Sequence, residues 1–262
     1  MADTPKGPNP LTVAWSIWRA QRVRRPQPAG RGTVDHAELV PVLTTLQTGG
    51  VPALKEQRPA LQAYRDRMAT IDPDTLSSEQ ALAYWLNLYN AGALDLAAET
   101  FARQAVSVLR LPGGFQRTWV TVAGEGLSLD AIEHGKIRRF GDPRIHGALV
   151  CGSASCPTLR HEPYDGGNVD AQLDDQMRAF LSGGGAVVDQ IDGKLWLSRI
   201  FGWYGGDFAR PQEMPTWLPP GKKRLVGLLT PWLDPEVAEW AQDTLPRVAF
   251  QPYDWSLACT VR

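Results

Sequence analysis

The chain has 262 residues, a formal net charge of −1, 43% hydrophobic and 21% charged residues, ordinary values for a soluble globular protein. That balance offers no global electrostatic case for nucleic acid or an anionic membrane. Three cysteines are too few for a disulfide scaffold in a chain long enough to bury its own core.

Residues 1–34 read as a peripheral tail. The apolar piece "LTVAWSIW" precedes the basic cluster "RAQRVRR", the reverse of a secretory signal, so a cytoplasmic location is expected. Together they predict a short amphipathic helix carrying Trp15 and Trp18. It is expected to pack on its own domain rather than serve as a membrane-surface or partner helix, since one short helix with few basic residues binds weakly. From Asp35 to Ile71 apolar residues recur at three-and-four spacing, which predicts helices, with Pro41 and Pro59 marking starts or breaks. Ser77 and Gln80 form a capping box that opens "SSEQALAYWLNLYNAGALDLAAETFAR", a helix apolar on nearly all sides and therefore central. Asn87, Asn90 and Asp95 make it costly as a membrane span, so no transmembrane segment is expected.

Farther on, "TWVTVAGEGLSL" predicts a hairpin, and Ser128 caps a helix running to about Arg139. "RIHGALV" has the profile of a short buried strand. "NVDAQLDDQMRAFL" predicts a helix, "AVVDQIDGKLWLSRIF" a second hairpin turning at Asp192–Gly193, and two helices follow near 221–230 and 235–244. "RVAFQPYDWSL" ends the chain as strand and turn. Without repeats or a splitting linker, residues 35–262 are expected to form a single α+β domain. Its N-terminal helices pack with a small, mostly antiparallel sheet.

Residues 144–157, "RIHGALVCGSASCP", hold two of the three cysteines and one of four histidines. In a strand, His146 shares a face with Ala148 and Val150, and Cys151 lies on the other. A His146–Cys151 dyad then needs the turn at Gly152 and Ser153 to re-aim Cys151; that turn also offers N–H groups to an oxyanion. Cys156, in the loop, is freer to reach His146 or His161. A thiol nucleophile needs a base, an orienting group and oxyanion donors. The candidates are Cys151 or Cys156 as nucleophile, His146 or His134 as base, and Glu133 or Asp142 as orienter. The same cysteines also fit a local disulfide or redox pair, or a buried structural role. Zinc is the weakest reading, because one Cys-x4-Cys pair stands without a second, so neither metal nor cofactor is expected.

Asn87 and Asn90 lie three apart on one helix surface and are expected to pin adjacent loops, with Asn87 alternatively lining a polar pocket. Ser153, Arg160, Trp203 and Tyr204 are candidate substrate contacts. Arg160 binds a substrate carboxylate or pairs with Asp142 or Glu162; Trp203, Tyr204 and Asp207 form a cleft wall or a packed corner.

Five segments occur in order: "WLNLYNA" at 85–91, "SLDAIEH" at 128–134, "DPRIHGALVCGSASCPTLR" at 142–160, "SRIFGWYGGDF" at 198–208 and "YDWSL" at 253–257. On these the chain resembles the domain of unknown function 547 family of bacteria and plants. Gly147 stands where the family usually has a bulky aromatic residue, which suggests open space beside the strand; Ala258 stands where it usually has Asn. The resemblance assigns no chemistry, and plant members look like partner-binding proteins with added coiled-coil segments. By fold-level analogy the architecture is loosely papain- or transglutaminase-like. Two functions follow. One is a cysteine-dependent hydrolase or acyl transferase acting on an amide, peptide or thiol conjugate. The other is a non-catalytic ligand- or peptide-binding domain with a structural or redox cysteine pair. The expected partner is a small-molecule or peptide substrate; oligomeric state is not encoded.

Overall fold

A computed structural model describes residues 7–216 and 218–262. Residues 1–6, on which the tail reading partly rests, lie outside the described residues. The chain divides into two units: residues 1–140, 149–170 and 254–262, and residues 141–148 and 171–253.

The first unit is organised by three helices. Helix α1, Pro10–Ala20, is capped by Asn9, whose side chain accepts the Leu11 N–H at 2.9 Å. Helix α2, Val40–Ala69, packs along helix α3, Ser78–Ala102, and every residue of α3 from Ala81 to Thr100 is buried. Leu54, Leu61, Tyr64 and Met68 of α2 are also fully buried, each apolar side chain contributing about 1.5–3 kcal/mol. Pro41 lies in the first turn of α2, consistent with a helix start, but the helix kinks at Gly50 and continues through Pro59. Gly50 adopts φ 62° and ψ −164°, a conformation open to glycine.

Half of the capping box forms. Ser77 Oγ accepts the Gln80 N–H at 3.3 Å, whereas Gln80 Oε1 accepts from Val34 and the Ser77 N–H bonds to Gly32 O. The returning half of the box is thus spent on tying down residues 32–34. Strands β1, Val120–Val122, and β2, Glu125–Leu127, form the expected antiparallel hairpin. Ser128 Oγ accepts the Ala131 N–H at 3.1 Å and starts a helical segment of π and then 3-10 geometry, which ends at Phe140.

The second unit contains helix α4, Val169–Phe180, strands β3, Ala186–Asp189, and β4, Lys194–Leu197, helices α5, Arg199–Ala209, α6, Lys222–Leu229, and α7, Pro235–Thr244, and strand β5, Arg247–Phe250. The β3–β4 hairpin turns at Asp192–Gly193, where Gly193 has φ 59°. Strand β5 joins β4 in parallel, so the sheet order is β3–β4–β5. Met177, Leu197, Phe201, Phe208 and Leu229 centre its core.

"RIHGALV" is not a strand. Residues Pro143–Gly147 form a 3-10 helix, started by Pro143 and capped by Asp142, whose Oδ1 accepts the Arg144 N–H at 2.9 Å. Farther along, the Val150 N–H bonds to the Asn90 side chain at 3.1 Å rather than to a neighbouring strand. Buried apolar residues occur equally in a strand and in a packed turn, and here the Asp-Pro start decides for the turn. The face alternation expected for His146 and Cys151 therefore does not apply. The space expected beside Gly147 is filled: a Cβ there would meet Met177 Cε at 3.1 Å.

Candidate functional site

The cysteine turn is built by its own backbone and by the end of the chain. The Cys156 N–H bonds to Ser153 O at 3.0 Å, closing a tight turn. Gly152 is held at φ 79°, and a Cβ there would lie 2.9 Å from Val108 Cγ1, so both conformation and space call for glycine. The "YDWSL" region clamps the turn. Ala154 donates to Ser256 O at 2.9 Å, Ala258 to Gly152 O at 3.2 Å, and Asp254 to Ser155 Oγ at 2.8 Å. Asp254 in turn accepts the Ser256 N–H at 2.8 Å, and bonding to Ser256 holds its carboxyl below the usual range.

Inside the turn, Cys156 Sγ accepts the Cys151 N–H at 3.0 Å. The two sulfurs lie 2.7 Å apart, and Ser153 Oγ lies 3.0 Å from Cys151 Sγ and 3.3 Å from Cys156 Sγ. Both thiols are half-buried. Cys259, absent from the sequence-based site, also belongs to this neighbourhood. Burial first, and then the negative charge of Cys156, push its thiol well above the usual range.

Elsewhere in the first unit, Glu133 Oε2 accepts the Tyr89 hydroxyl at 2.9 Å, and Glu133 Oε1 lies 3.5 Å from His134 Nδ1. Arg138 Nη1 lies 3.3 Å from the same His134 nitrogen, so this buried imidazole sits between a carboxylate and a guanidinium. Asn87 spends both ends of its amide on one residue, accepting from Tyr164 N at 2.9 Å and donating to Tyr164 O at 2.7 Å. Arg160 pairs with Glu162 at 2.6 Å.

The second unit holds a different assembly. His146 Nε2 lies 2.8 Å from Asp207 Oδ2, and Asp207 Oδ1 accepts the Thr216 N–H at 2.9 Å. His146 is 3% exposed and Asp207 is fully buried. Tyr204 stacks on the imidazole at 4.1 Å between ring centroids and 13° between planes. The carboxylate on His146 is thus Asp207. Asp142 instead caps its own turn and pairs with the Arg144 guanidinium at 2.7 Å. Trp203 leans on Tyr253 at 4.9 Å and is half-exposed. The role of Asp207 had one sequence signal: Tyr204 and Asp207 are three apart on α5, the spacing that places two side chains on one helix face.

These features define an α+β protein with a clamped dithiol turn in one unit and a buried imidazole–carboxylate pair in the other. Residues 73–181 match the family model described as Protein of unknown function, DUF547, so the resemblance read from the motifs is shown over that stretch. The match contains the segments at 85–91, 128–134 and 142–160. No curated protein and no solved structure gives a match. Among the described residues, no helix is long and apolar enough to cross a membrane. Nor does any group of three or more His, Cys, Asp or Glu among them have an arrangement suited to a metal ion.

Proposed function

We propose that the chain is a cysteine-dependent hydrolase or acyl transferase acting on an amide, peptide or thiol conjugate, with Cys156 as nucleophile. The observation that carries this reading is the convergence of three groups on one sulfur: the Cys151 N–H, the Cys151 thiol and the Ser153 hydroxyl. The N–H is a fixed donor. The thiol and hydroxyl turn into donors when Cys156 carries the charge, and hydrogen bonds to an ionised partner are about twice as strong as neutral ones. The thiolate is the reactive form of cysteine. The general-base role falls to His134, which belongs to the same unit as Cys156. Its setting supports that role, because the Glu133 carboxylate lies 3.5 Å from the imidazole Nδ1 and the Tyr89 hydroxyl bonds to Glu133.

In this reaction the thiolate attacks the carbonyl carbon and the C–N or C–S bond breaks. The protonated imidazole gives its proton to the leaving amine or thiol. Water or an acceptor nucleophile then releases the acyl group from the thioester and regenerates the thiol. The test is intact-mass detection of an acyl adduct after exposure to a panel of activated esters and thioesters. The adduct is expected on Cys156 and lost in Cys156→Ser; an adduct that maps elsewhere, or none across the panel, sinks the reading.

The 2.7 Å sulfur separation favours a second reading, a dithiol–disulfide centre in which Cys156 attacks a substrate disulfide and Cys151 resolves the mixed disulfide. Cys151→Ser separates the two. It keeps a hydroxyl donor and leaves acylation intact in the first reading, whereas it arrests disulfide exchange at the mixed disulfide in the second.

A further inference from the structure

Helix α1 has two unlike faces. Ser16, Ile17 and Ala20 are buried against the helical segment that follows Ser128. The Ser16 hydroxyl donates to the half-buried Asp130 carboxylate, and Ala20 lies so close to Gly135 that a Cβ there would fall 2.4 Å from Ala20 O. The helix is therefore seated on the first unit at a fixed rotation. Its other face carries Leu11, Trp15 and Trp18, which are 80%, 55% and 51% exposed. Their spacing of four and three places them in one stripe along the helix, and Arg22 continues it.

Large aromatic side chains left in water on a seated helix require a reason, since the packing expected from the sequence would have covered them. The surrounding charge supplies one. Residues 7–34 contain five arginines and no acidic residue. Arg19, Arg22, Arg24 and Arg25 are all exposed. The Arg22 guanidinium lies 3.6 Å from the Trp18 ring centroid, and Arg19 lies 5.5 Å from that of Trp15. Only Arg24 among the four has a carboxylate partner shown, Asp74 at 3.1 Å. The helix thus presents an apolar stripe with tryptophans, bordered by Arg19, Arg22 and Arg25, while Arg24 is paired with Asp74 and its backbone N–H bonds to Glu125.

We infer that this face of α1 docks on an anionic lipid bilayer. The helix lies in the interfacial plane, Leu11, Trp15 and Trp18 enter the headgroup–acyl boundary, and the arginines contact lipid phosphates. Tryptophan suits that depth because its ring is apolar and its N–H is polar. The rim charge selects this occupant over an acid-free apolar partner. The neutral balance of the whole chain does not oppose it, because attraction to a charged surface acts within a Debye length of the patch, about 8–10 Å.

The experiment is flotation of the full chain with vesicles of phosphatidylcholine alone and of phosphatidylcholine mixed with phosphatidylserine, at low and physiological salt. Binding is expected only to the anionic vesicles and is expected to weaken with salt. Trp15→Ser with Trp18→Ser lowers it at least about tenfold through lost apolar burial. Arg19→Gln with Arg22→Gln lowers it by about fivefold per arginine. Both pairs sit on the exposed face, so thermal melts should match wild type; Leu11→Ser serves as a second apolar variant if the tryptophan pair alters folding. The inference is overturned if the chain floats equally with neutral vesicles, floats with neither, or floats undiminished in the variants. It is also overturned if light scattering shows a dimer without lipid that the tryptophan variants dissolve, which assigns the face to a second copy.

Discussion

Of the three buried histidines, His36 in the first unit and His146 in the second are held in opposite ways. His36 is 4% exposed, and its Nδ1 lies 2.7 Å from the Tyr64 hydroxyl, a neutral partner. Its Nε2 is buried without a hydrogen bond. Burial first, and then the Arg67 charge, push the imidazole down to about 4, so it is neutral in ordinary conditions. His146 is as deeply buried, yet its Nε2 meets a carboxylate that is itself fixed by a backbone N–H. Burial alone removes an imidazole from proton chemistry. A buried carboxylate partner compensates the charge the ring acquires when it takes a proton, and that is what a general base needs.

The sharpest way to break this contrast is Asp207→Asn. The amide oxygen can still accept from Thr216, so the fold should survive, but the ring loses its charged partner and its preferred tautomer. Stability in a denaturant melt is expected to fall by about 3 kcal/mol or more, the scale of removing one charge from a buried pair. A melt within about 0.5 kcal/mol of wild type would mean that the carboxylate adds nothing to the fold beyond what an amide supplies.

A second test sets stability against pH. The folded pKa of His36 lies below the unfolded value of 6.5, so the unfolded chain binds more protons between pH 6.5 and about 4. Its contribution is therefore fully present above pH 6.5 and is lost as pH falls through the folded pKa. With 1.36 kcal/mol per pKa unit, the loss reaches about 3 kcal/mol by pH 4. Asp130 acts in the opposite direction. Burial raises its pKa to about 6, so protonation favours the folded state as pH falls from 6 towards 3.8. Denaturant melts of wild type and His36→Gln from pH 7 to 4 isolate the histidine. Parallel stability curves for the two proteins would remove His36 as an acid-labile site.

Much of this architecture was legible because it is local. The Ser77 cap, the turn at Gly193, the amphipathic α1 and the apolar circumference of α3 each depend on residues within one or two turns of each other. The failures have physical causes of two kinds. In "RIHGALV" the apolar content hid a 3-10 helix, although Asp142 before Pro143 was the helix-start signal to weigh against it. Pro59 was overvalued as a break and Gly50 undervalued, because a positive φ disrupts a helix more completely than one missing N–H. Other features were not legible at all. His146 and Asp207 are 61 positions apart, and nothing local ties Cys259 to Cys156 or fastens "YDWSL" to the cysteine turn. The pairing of motifs that looked independent is long-range information, and it supplies most of the candidate site.

Asn87 contrasts with His146 as a buried polar group that serves the scaffold. Both of its amide hydrogen bonds end on the backbone of Tyr164. Asn87→Ala removes both of these bonds to the Tyr164 backbone, and the expected cost is about 1–3 kcal/mol in a denaturant melt. Thiol labelling at a pH where the variant is folded should be unchanged. Intact stability with altered labelling would move Asn87 from the scaffold into the site.

The smallest effect is expected at Ser153, where the cysteine turn separates chemistry from stability. Its hydroxyl is one of three groups around the Cys156 sulfur, and the Cys151 N–H remains when it is removed. The backbone bonds that hold the turn, from Cys156 to Ser153 O and from Ala154 to Ser256 O, do not involve the side chain. Ser153→Ala should therefore change the melt by less than about 1 kcal/mol, as expected for one half-buried hydroxyl. Losing a donor of about 1 kcal/mol to the thiolate raises the thiol pKa by somewhat less than one unit. Iodoacetamide labelling of Cys156, followed across pH by peptide mass spectrometry, should show its midpoint move upward by that amount while the plateau rate at high pH stays the same. A midpoint that does not move would leave the hydroxyl outside the thiolate's hydrogen bonds. A downward shift would show that Ser153 accepts from the thiol and stabilises its neutral form, which contradicts the role given to the turn.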